Sequence, residues 1–254
     1  MSRLFILLFL FITTTASAFA NGEGVALNQK IGEYLPSDLV FTDEAGAQVR
    51  LADMIDKPTI FVPVYLSCPH TCPLILSAMS SALGNLKWVV PGRDFQVVAL
   101  SFNKNDTPEI AREKKKNYLA PISKVVPENA WKFLVGDQKN IDRFLASSGF
   151  HVEPYGMEFS HPAAIFIVSK KGQIIRYLPG MNYGAFDLSM AVTEAAQGVL
   201  STPTSRVLGY CFTYDPNKRS YVFNVLRTTG IAMVVTLLAF LVFLLMTSRK
   251  RKDA

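Results

Sequence analysis

Two cysteines separated by three residues are the part of this sequence best suited to chemistry. Cys68 and Cys72 lie in the segment SCPHTCP, and a proline follows each of them. Such a pair fits a redox-active dithiol, a structural disulfide or one half of a metal site. Redox dithiols more usually have two intervening residues, so the spacing weakens the redox interpretation without removing it.

The segments on either side of the cysteines must position the two sulfurs. The run TIFVPVYL, which begins at Thr59, predicts a buried strand, and PLILSAMSSALGNL, which begins at Pro73, has helical spacing. A residue before proline is disfavoured in the α conformation, so we expect neither cysteine to be helical and Pro73 to open the helix. The positive end of that helix would favour thiolates, which both bind metals and attack disulfides.

A metal site needs a third ligand, and the chain has three histidines. His70 and His151 are interpreted as solvent-facing residues. His161 stands directly before a predicted strand that neighbours the strand leading to Cys68. We therefore expect its imidazole to approach both sulfurs, although a histidine at a strand end without a ligand role is the alternative. Two thiolates and one imidazole form a soft set of few ligands, which suits Cu(I) better than structural zinc, so copper held by Cys68, Cys72 and His161 is the prediction.

Strands and helices alternate along the middle of the chain. Predicted strands at 59–66, 95–102 and 131–136 alternate with predicted helices at 73–86, 107–120 and 138–149, and a hairpin over 163–179 and a helix over 185–200 follow. Short strands near 39–41 and 48–51 precede them. The alternation predicts an α/β fold with a mostly parallel sheet and helices on both faces, and the closing hairpin indicates a thioredoxin-like fold.

Both ends of the chain carry membrane-targeting patterns. Residues 1–20 have the charged, apolar and small-residue regions of a secretory signal peptide, with an uncleaved anchor as the alternative. Residues 228–248 are 21 residues without a charge, which predicts a transmembrane helix. The basic tail at 249–254 should remain in the cytoplasm. We therefore expect a single-pass inner-membrane protein with its domain, residues 21–200, in the periplasm and a linker at 201–227.

The net charge of +6 does not indicate a nucleic-acid partner. Without Arg3 and the basic tail, 21 basic and 19 acidic residues remain, so most of the excess charge belongs to the membrane-targeting segments. Three cysteines are too few for a disulfide-stapled domain of this size. DNA and RNA binding are therefore excluded, and stability must come mostly from a hydrophobic core.

Other residues with possible chemistry receive structural interpretations. Cys211 is interpreted as a buried apolar side chain, with an intermolecular thiol or a transient copper ligand as alternatives. Met157 and Met181 fall near the predicted site, and both are interpreted as core-filling residues. Asp106 and Glu109 flank a Thr-Pro pair that is typical of a helix start, so acid/base catalysis is not expected of them.

Four motifs resemble those of the Sco/SenC family of copper-binding proteins. They are CPHTCP at 68–73, NDTPE at 105–109, GDQKNIDRFLASSGF at 136–150 and SHPAAIFIVSKKGQI at 160–174, and they occur in the family's order. The resemblance covers about residues 25–200. It implies a thioredoxin-like copper chaperone that helps to build the dinuclear copper centre of cytochrome c oxidase subunit II, or that supplies another copper-receiving protein.

The resemblance also implies roles for individual residues. Cys68, Cys72 and His161 correspond to the family's copper ligands. Reduction of a partner's disulfide accompanies or replaces copper delivery in the family, so an extracytoplasmic thiol-disulfide oxidoreductase, in which Cys68 attacks and Cys72 resolves, is the alternative function. The chain departs from the family in its predicted C-terminal anchor and in Pro162, which is interpreted as the cis-proline of thioredoxin-like folds.

Overall fold

A computed structural model describes residues 27–156, 158–200, 212–215, 220–223, 229–230, 233–234, 236–238 and 240–241. The predicted signal peptide, Met157, Cys211 and the basic tail lie outside these residues. The chain divides into two units, Met1–Leu200 and Ser201–Ala254.

In the described part of the first unit, strands and helices alternate much as the sequence predicts. The elements are β1 (Val40–Asp43), β2 (Gln48–Arg50), α1 (Leu51–Met54), β3 (Thr59–Val64), α2 (Thr71–Gly84), β4 (Gln96–Ser101), α3 (Pro108–Leu119), β5 (Trp131–Val135), α4 (Gln138–Ser148), β6 (Glu153–Tyr155), β7 (Glu158–Ser160), β8 (Ala164–Val168), β9 (Ile174–Pro179) and α5 (Ala185–Gln197). Short 3-10 turns at Ala120–Ile122 and Glu128–Ala130 lead into β5.

Seven of these strands form one sheet in the order β2-β1-β5-β4-β3-β8-β9. The central strands β3, β4 and β5 are parallel, and the strands on either side join them in antiparallel orientation. The α/β class, the parallel centre and the closing hairpin, β8–β9, are confirmed. This mixed sheet is consistent with the predicted thioredoxin-like fold.

The central strand β3 carries the chain to the cysteines. All six of its residues are buried, as are all six of β4, so both faces of the sheet are covered. Proline is uncommon in central strands because it has no N–H to donate. The pairing of β3 with β8 ends at Phe61, however, so Pro63 lies where β3 is paired only with β4.

Helix α4 ends at a glycine that no other residue could replace without strain. Gly149 adopts the left-handed conformation (φ 68°), which favours glycine after a helix. Its carbonyl accepts the Asn28 N–H at 2.9 Å, and a Cβ on Gly149 would lie 1.8 Å from the Asn28 oxygen. The helix end therefore holds the N-terminal segment against the domain.

In the second unit, Phe212–Asp215 and Ser220–Phe223 form a two-stranded antiparallel hairpin. Separate short stretches between 229 and 241 are helical. Among the described residues, no helix is both long enough and apolar enough to cross a membrane. Much of the predicted span at 228–248 lies outside the described residues, so the transmembrane helix stays a prediction.

Candidate metal centre

The two cysteines lie in the stretch that runs from the end of β3 into the first turn of α2. Cys68 is in the connecting loop, whereas Cys72 is the second residue of α2, which begins at Thr71. The expectation that neither cysteine is helical therefore holds for Cys68 and is wrong for Cys72. The first N–H groups of a helix have no intrahelical acceptor, so Pro73 loses no hydrogen bond in the first turn and α2 can start before it.

Both cysteines are free thiols with little exposure, 5% for Cys68 and 1% for Cys72. Each sulfur accepts a backbone hydrogen bond. The His70 N–H donates to the Cys68 Sγ at 3.4 Å, and the Tyr65 N–H donates to the Cys72 Sγ at 3.4 Å. The backbone on both sides of the loop thus turns its donors towards the sulfurs.

His161 lies between β7 and β8, and its Nε2 is 3.5 Å from the Cys72 Sγ. Its Nδ1 is 3.1 Å from the carbonyl oxygen of Pro162. A carbonyl can only accept, so Nδ1 carries the hydrogen of the neutral ring and the Nε2 lone pair faces the sulfur. The imidazole is thereby oriented with its ligating nitrogen towards Cys72.

The separation of sulfur and nitrogen can be compared with the needs of a metal ion. Bonds of about 2.3 Å to sulfur and 2.0 Å to nitrogen at a tetrahedral angle place the two ligand atoms about 3.5 Å apart. The observed distance between Cys72 and His161 has this size. Among the described residues, no three or more His, Cys, Asp or Glu side chains already form a complete metal-binding group. The ligand roles of Cys68, Cys72 and His161 therefore stay predictions. Cys72 and His161 already lie at ligand spacing, and the Cys68 sulfur would have to supply the third ligand.

Two aromatic side chains flank the imidazole, and a third packs against both of them. The ring of His161 lies 5.0 Å from Phe102 and 6.3 Å from Tyr65, measured between ring centroids. Phe159 of β7 contacts both of these aromatic rings, at 5.7 and 5.2 Å. Partial burial beside these rings lowers the pKa of His161, although the hydrogen bond to Pro162 opposes the shift. The ring is therefore kept neutral, which is the form that binds metals.

The two thiols differ in acidity. Burial raises the pKa of Cys72, and the nearby Cys68 and Asp106 add to the shift. Burial also acts to raise the pKa of Cys68, but hydrogen bonds from Tyr65 and from the backbone of Cys72 and His70 outweigh it and hold the pKa below its ordinary value. Cys68 is consequently the readier thiolate of the pair.

A family model described as SCO1/SenC matches residues 29–197, which is more than half of the chain. The chain belongs to the SCO1/SenC family.

Solved structures resemble this SCO1/SenC chain over its folded domain. A candidate electron transfer protein from Aquifex aeolicus VF5 is 27% identical, with a TM-score of 0.60 over 66% of this chain and 95% of its own. Arabidopsis thaliana ScoI, solved with copper bound, is 19% identical (TM-score 0.52, 66% of this chain and 99% of its own). BsSco, described as a Sco family member with a disulfide switch, is 21% identical (TM-score 0.53, 66% and 97%). No curated protein sequence matches the chain at a significant level.

Most of the other residues considered from the sequence have structural partners in this SCO1/SenC domain. His70 is exposed but pairs with Glu158 of β7, the Nε2 to Oε1 distance being 3.1 Å. His151 is exposed beside Glu153, as predicted. Met181 is 41% exposed, so its interpretation as a core-filling residue is wrong. Its flexible thioether instead faces solvent in the loop after β9.

Two further sequence interpretations concern residues around the site. The helix start after Asp106 is confirmed, since the Thr107 hydroxyl accepts the Ile110 N–H and Pro108 is the first helical residue. The cis-proline interpretation of Pro162 is wrong, because none of the described peptide bonds is cis.

Sequence reasoning missed Tyr65, and it missed the contact of Asp106 with the dithiol loop. Tyr65 is buried next to His161, and Asp106 is a buried acid that accepts the backbone N–H of Leu66. The available signal was position, because Asp106 follows β4 at the same edge of the sheet as the end of β3.

Proposed function

We propose that this SCO1/SenC protein binds one copper ion through Cys68, Cys72 and His161 and passes it to subunit II of cytochrome c oxidase, whose dinuclear copper centre is being assembled. The observation that carries the proposal is the 3.5 Å approach of the His161 Nε2 to the Cys72 Sγ, the spacing that two ligands of one ion would have. Family membership supports it. Further support comes from ScoI with copper bound and from BsSco, a member of a family of cytochrome c oxidase assembly proteins.

Copper is the substrate in this proposal, and the side chains suit its delivery. Two sulfurs and one imidazole bind Cu(I) as a soft ion and leave its coordination low. An ion with few ligands can accept a thiolate from the receiving protein before it leaves the donor. Cys68, on the loop rather than in α2, is the ligand best placed to be exchanged first.

We also propose that residues 1–20 direct export and that residues 228–248 hold the protein in the inner membrane, with the domain in the periplasm. The support is the sequence pattern, an apolar stretch of 21 residues followed at once by basic residues. This placement would bring the copper site to the side of the membrane on which disulfides and exported copper proteins form.

The copper proposal is tested on the full-length chain, purified without oxygen in mild detergent and loaded with Cu(I). Parent, Cys68→Ser, Cys72→Ser and His161→Ala are compared by metal content and by competition with a Cu(I) chelator. Each variant should bind copper at least about 100-fold more weakly, the upper end of the losses found for residues outside the ligand shell. His151→Ala, which changes an exposed histidine, should bind as the parent does. Parent affinity in His161→Ala would refute the ligand assignment.

A second function, thiol-disulfide exchange, is favoured by the unequal acidity of the two cysteines. The Cys68 thiolate would attack a partner disulfide and release one partner thiolate. Cys72 would then lose its proton to solvent and attack the Cys68 sulfur of the mixed disulfide, which breaks the bond to the partner, releases the second partner thiolate and leaves a Cys68–Cys72 disulfide. His161→Ala separates the two functions, because it should retain exchange while losing copper.

A further inference from the structure

The carboxylate of Asp106 is buried and directed at the dithiol loop. Its Oδ2 accepts the Leu66 N–H at 2.6 Å and the Ser101 hydroxyl at 2.5 Å. Its Oδ1 accepts the Asn103 amide at 3.4 Å. The residue is only 5% exposed. Burying a carboxylate costs free energy unless hydrogen-bond donors replace the lost water. The three donors provide this compensation, so the carboxylate is held in one defined position.

Asn103 extends the same network to the next residue of the loop. The side-chain amide of Asn103 also donates to the Ser67 hydroxyl at 3.1 Å, and the backbone carbonyl of Asn103 accepts the Asp106 N–H at 3.0 Å. Leu66 and Ser67 are the two residues immediately before Cys68. The network therefore attaches the segment after β4 to the chain directly ahead of the first sulfur.

The carboxylate is not needed by its own helix. The hydroxyl of Thr107 caps α3, whereas Asp137 shows what a capping aspartate does in this chain: its carboxylate accepts the Asn140 N–H at the start of α4. Asp106 instead satisfies the Leu66 N–H, which lies beyond the last residue of β3 and has no strand partner. A charge-assisted hydrogen bond thus replaces the sheet ladder at the point where the ladder ends.

We propose that Asp106 is a positioning residue for the metal centre, which holds the backbone ahead of Cys68 so that its sulfur can complete the set begun by Cys72 and His161. This inference rests on the proposed copper-binding function. Asp106 acts through the loop and not as a ligand. Outer residues that orient metal ligands are typically worth about 10- to 100-fold in metal affinity, which sets the expected size of the effect.

The test compares Asp106→Ala and Asp106→Asn with Asp137→Ala in the full-length chain. Asp137→Ala is the control because it also removes an aspartate that accepts a backbone N–H, at an exposed helix start far along the chain from the loop. Cu(I) affinity, the thiolate-to-Cu(II) absorption bands of a separate sample loaded with Cu(II), and the urea midpoint of the copper-free protein are measured for each. Asp106→Ala should bind copper about 10- to 100-fold more weakly and shift the absorption bands. Asp106→Asn, which retains one acceptor for Leu66, should lie between it and the parent.

The outcomes separate this inference from the proposed function. Parent affinity and unshifted bands in a folded Asp106→Ala would overturn the positioning role. If the parent itself binds no copper, the proposed function fails, and the rate at which Cys68 reacts with a small aromatic disulfide decides the role of Asp106: a change of tenfold or more beyond the control supports it, and parent rates overturn it. If Asp106→Ala does not fold, Asn103→Ala, which removes the link to Ser67, replaces it under the same criteria.

Discussion

The two cysteines of the dithiol loop should differ strongly in their rates of alkylation at neutral pH. Iodoacetamide reacts with the thiolate and not with the thiol, so the rate follows the ionised fraction and the access to sulfur. Hydrogen bonds lower the pKa of Cys68, whereas burial raises that of Cys72. We expect Cys68 to be modified before Cys72.

The expected size of the difference can be worked from ordinary thiol behaviour. A thiol with a pKa of about 8.5 is roughly 3% ionised at pH 7, and each unit of pKa changes this fraction about tenfold. Cys72 should fall well below that fraction, and Cys68 should be more ionised than Cys72. Because the Cys72 side chain is also only 1% exposed, the ratio of rates should be on the order of 100 or more. As the pH is raised, the Cys68 rate should reach its plateau at a lower pH than the Cys72 rate does.

The assay is timed alkylation of the copper-free protein between pH 6 and 10, with each cysteine followed separately by peptide mass spectrometry. Tyr65→Phe removes a hydrogen bond to Cys68 and should slow its modification at pH 7. Tyr155→Phe, at an exposed position, is the control and should leave the rate unchanged. Equal rates for Cys68 and Cys72, or faster modification of Cys72, would refute the reasoning.

Three further predictions concern stability, each measured by urea unfolding. Burial lowers the pKa of His161, so the unfolded chain binds that proton more tightly, and the free energy of unfolding should fall below about pH 6.5, less so in His161→Gln; an equal fall would contradict this. Glu44→Gln removes the negative charge that lies 2.5 Å from the buried ammonium of Lys115 and should lower the free energy of unfolding by about 3–5 kcal/mol, whereas a loss below about 1 kcal/mol would mark an ordinary surface pair. Gly198→Ala should lower the free energy of unfolding by about 1 kcal/mol, the cost of a positive φ, and Gly149→Ala should lower it by clearly more, because only there would the new Cβ clash. Equal losses would contradict this.

The elements themselves follow from local patterns in the sequence. The strand predicted at 59–66 is observed at Thr59–Val64, because its β-branched and aromatic residues are buried on both faces. The helix predicted from Thr107 begins there, because the hydroxyl and the following proline are both local signals. Such features depend on residues within one turn or one strand, which a sequence displays directly.

The incorrect and missing predictions concern residues whose conformation or contacts depend on tertiary structure. The steric bias against helix for the residue before proline is a preference only, and it failed at Cys72, the second residue of α2. The network of Asp106 could not be predicted, since Leu66 and Asp106 are 40 residues apart. Their contact depends on β3 and β4 being neighbours and in register, and the sequence alone does not fix the register of two buried parallel strands.

The end of the hydrogen-bonded pairing between β3 and β8 explains why the candidate metal centre lies at this edge of the sheet. Phe61 pairs with Phe166, and continuing that antiparallel register would place Pro63 opposite Ala164 and Pro162 opposite Tyr65. A proline on each strand cannot donate to the other, so regular pairing stops. The Tyr65 N–H is then free to donate to the Cys72 sulfur, and the residue before Pro162 can turn its imidazole to the same sulfur. A register shifted by one residue would turn His161 to the other face of the sheet, so the pair of prolines and the packing of Phe61 on Phe166 together determine which histidine meets the cysteines.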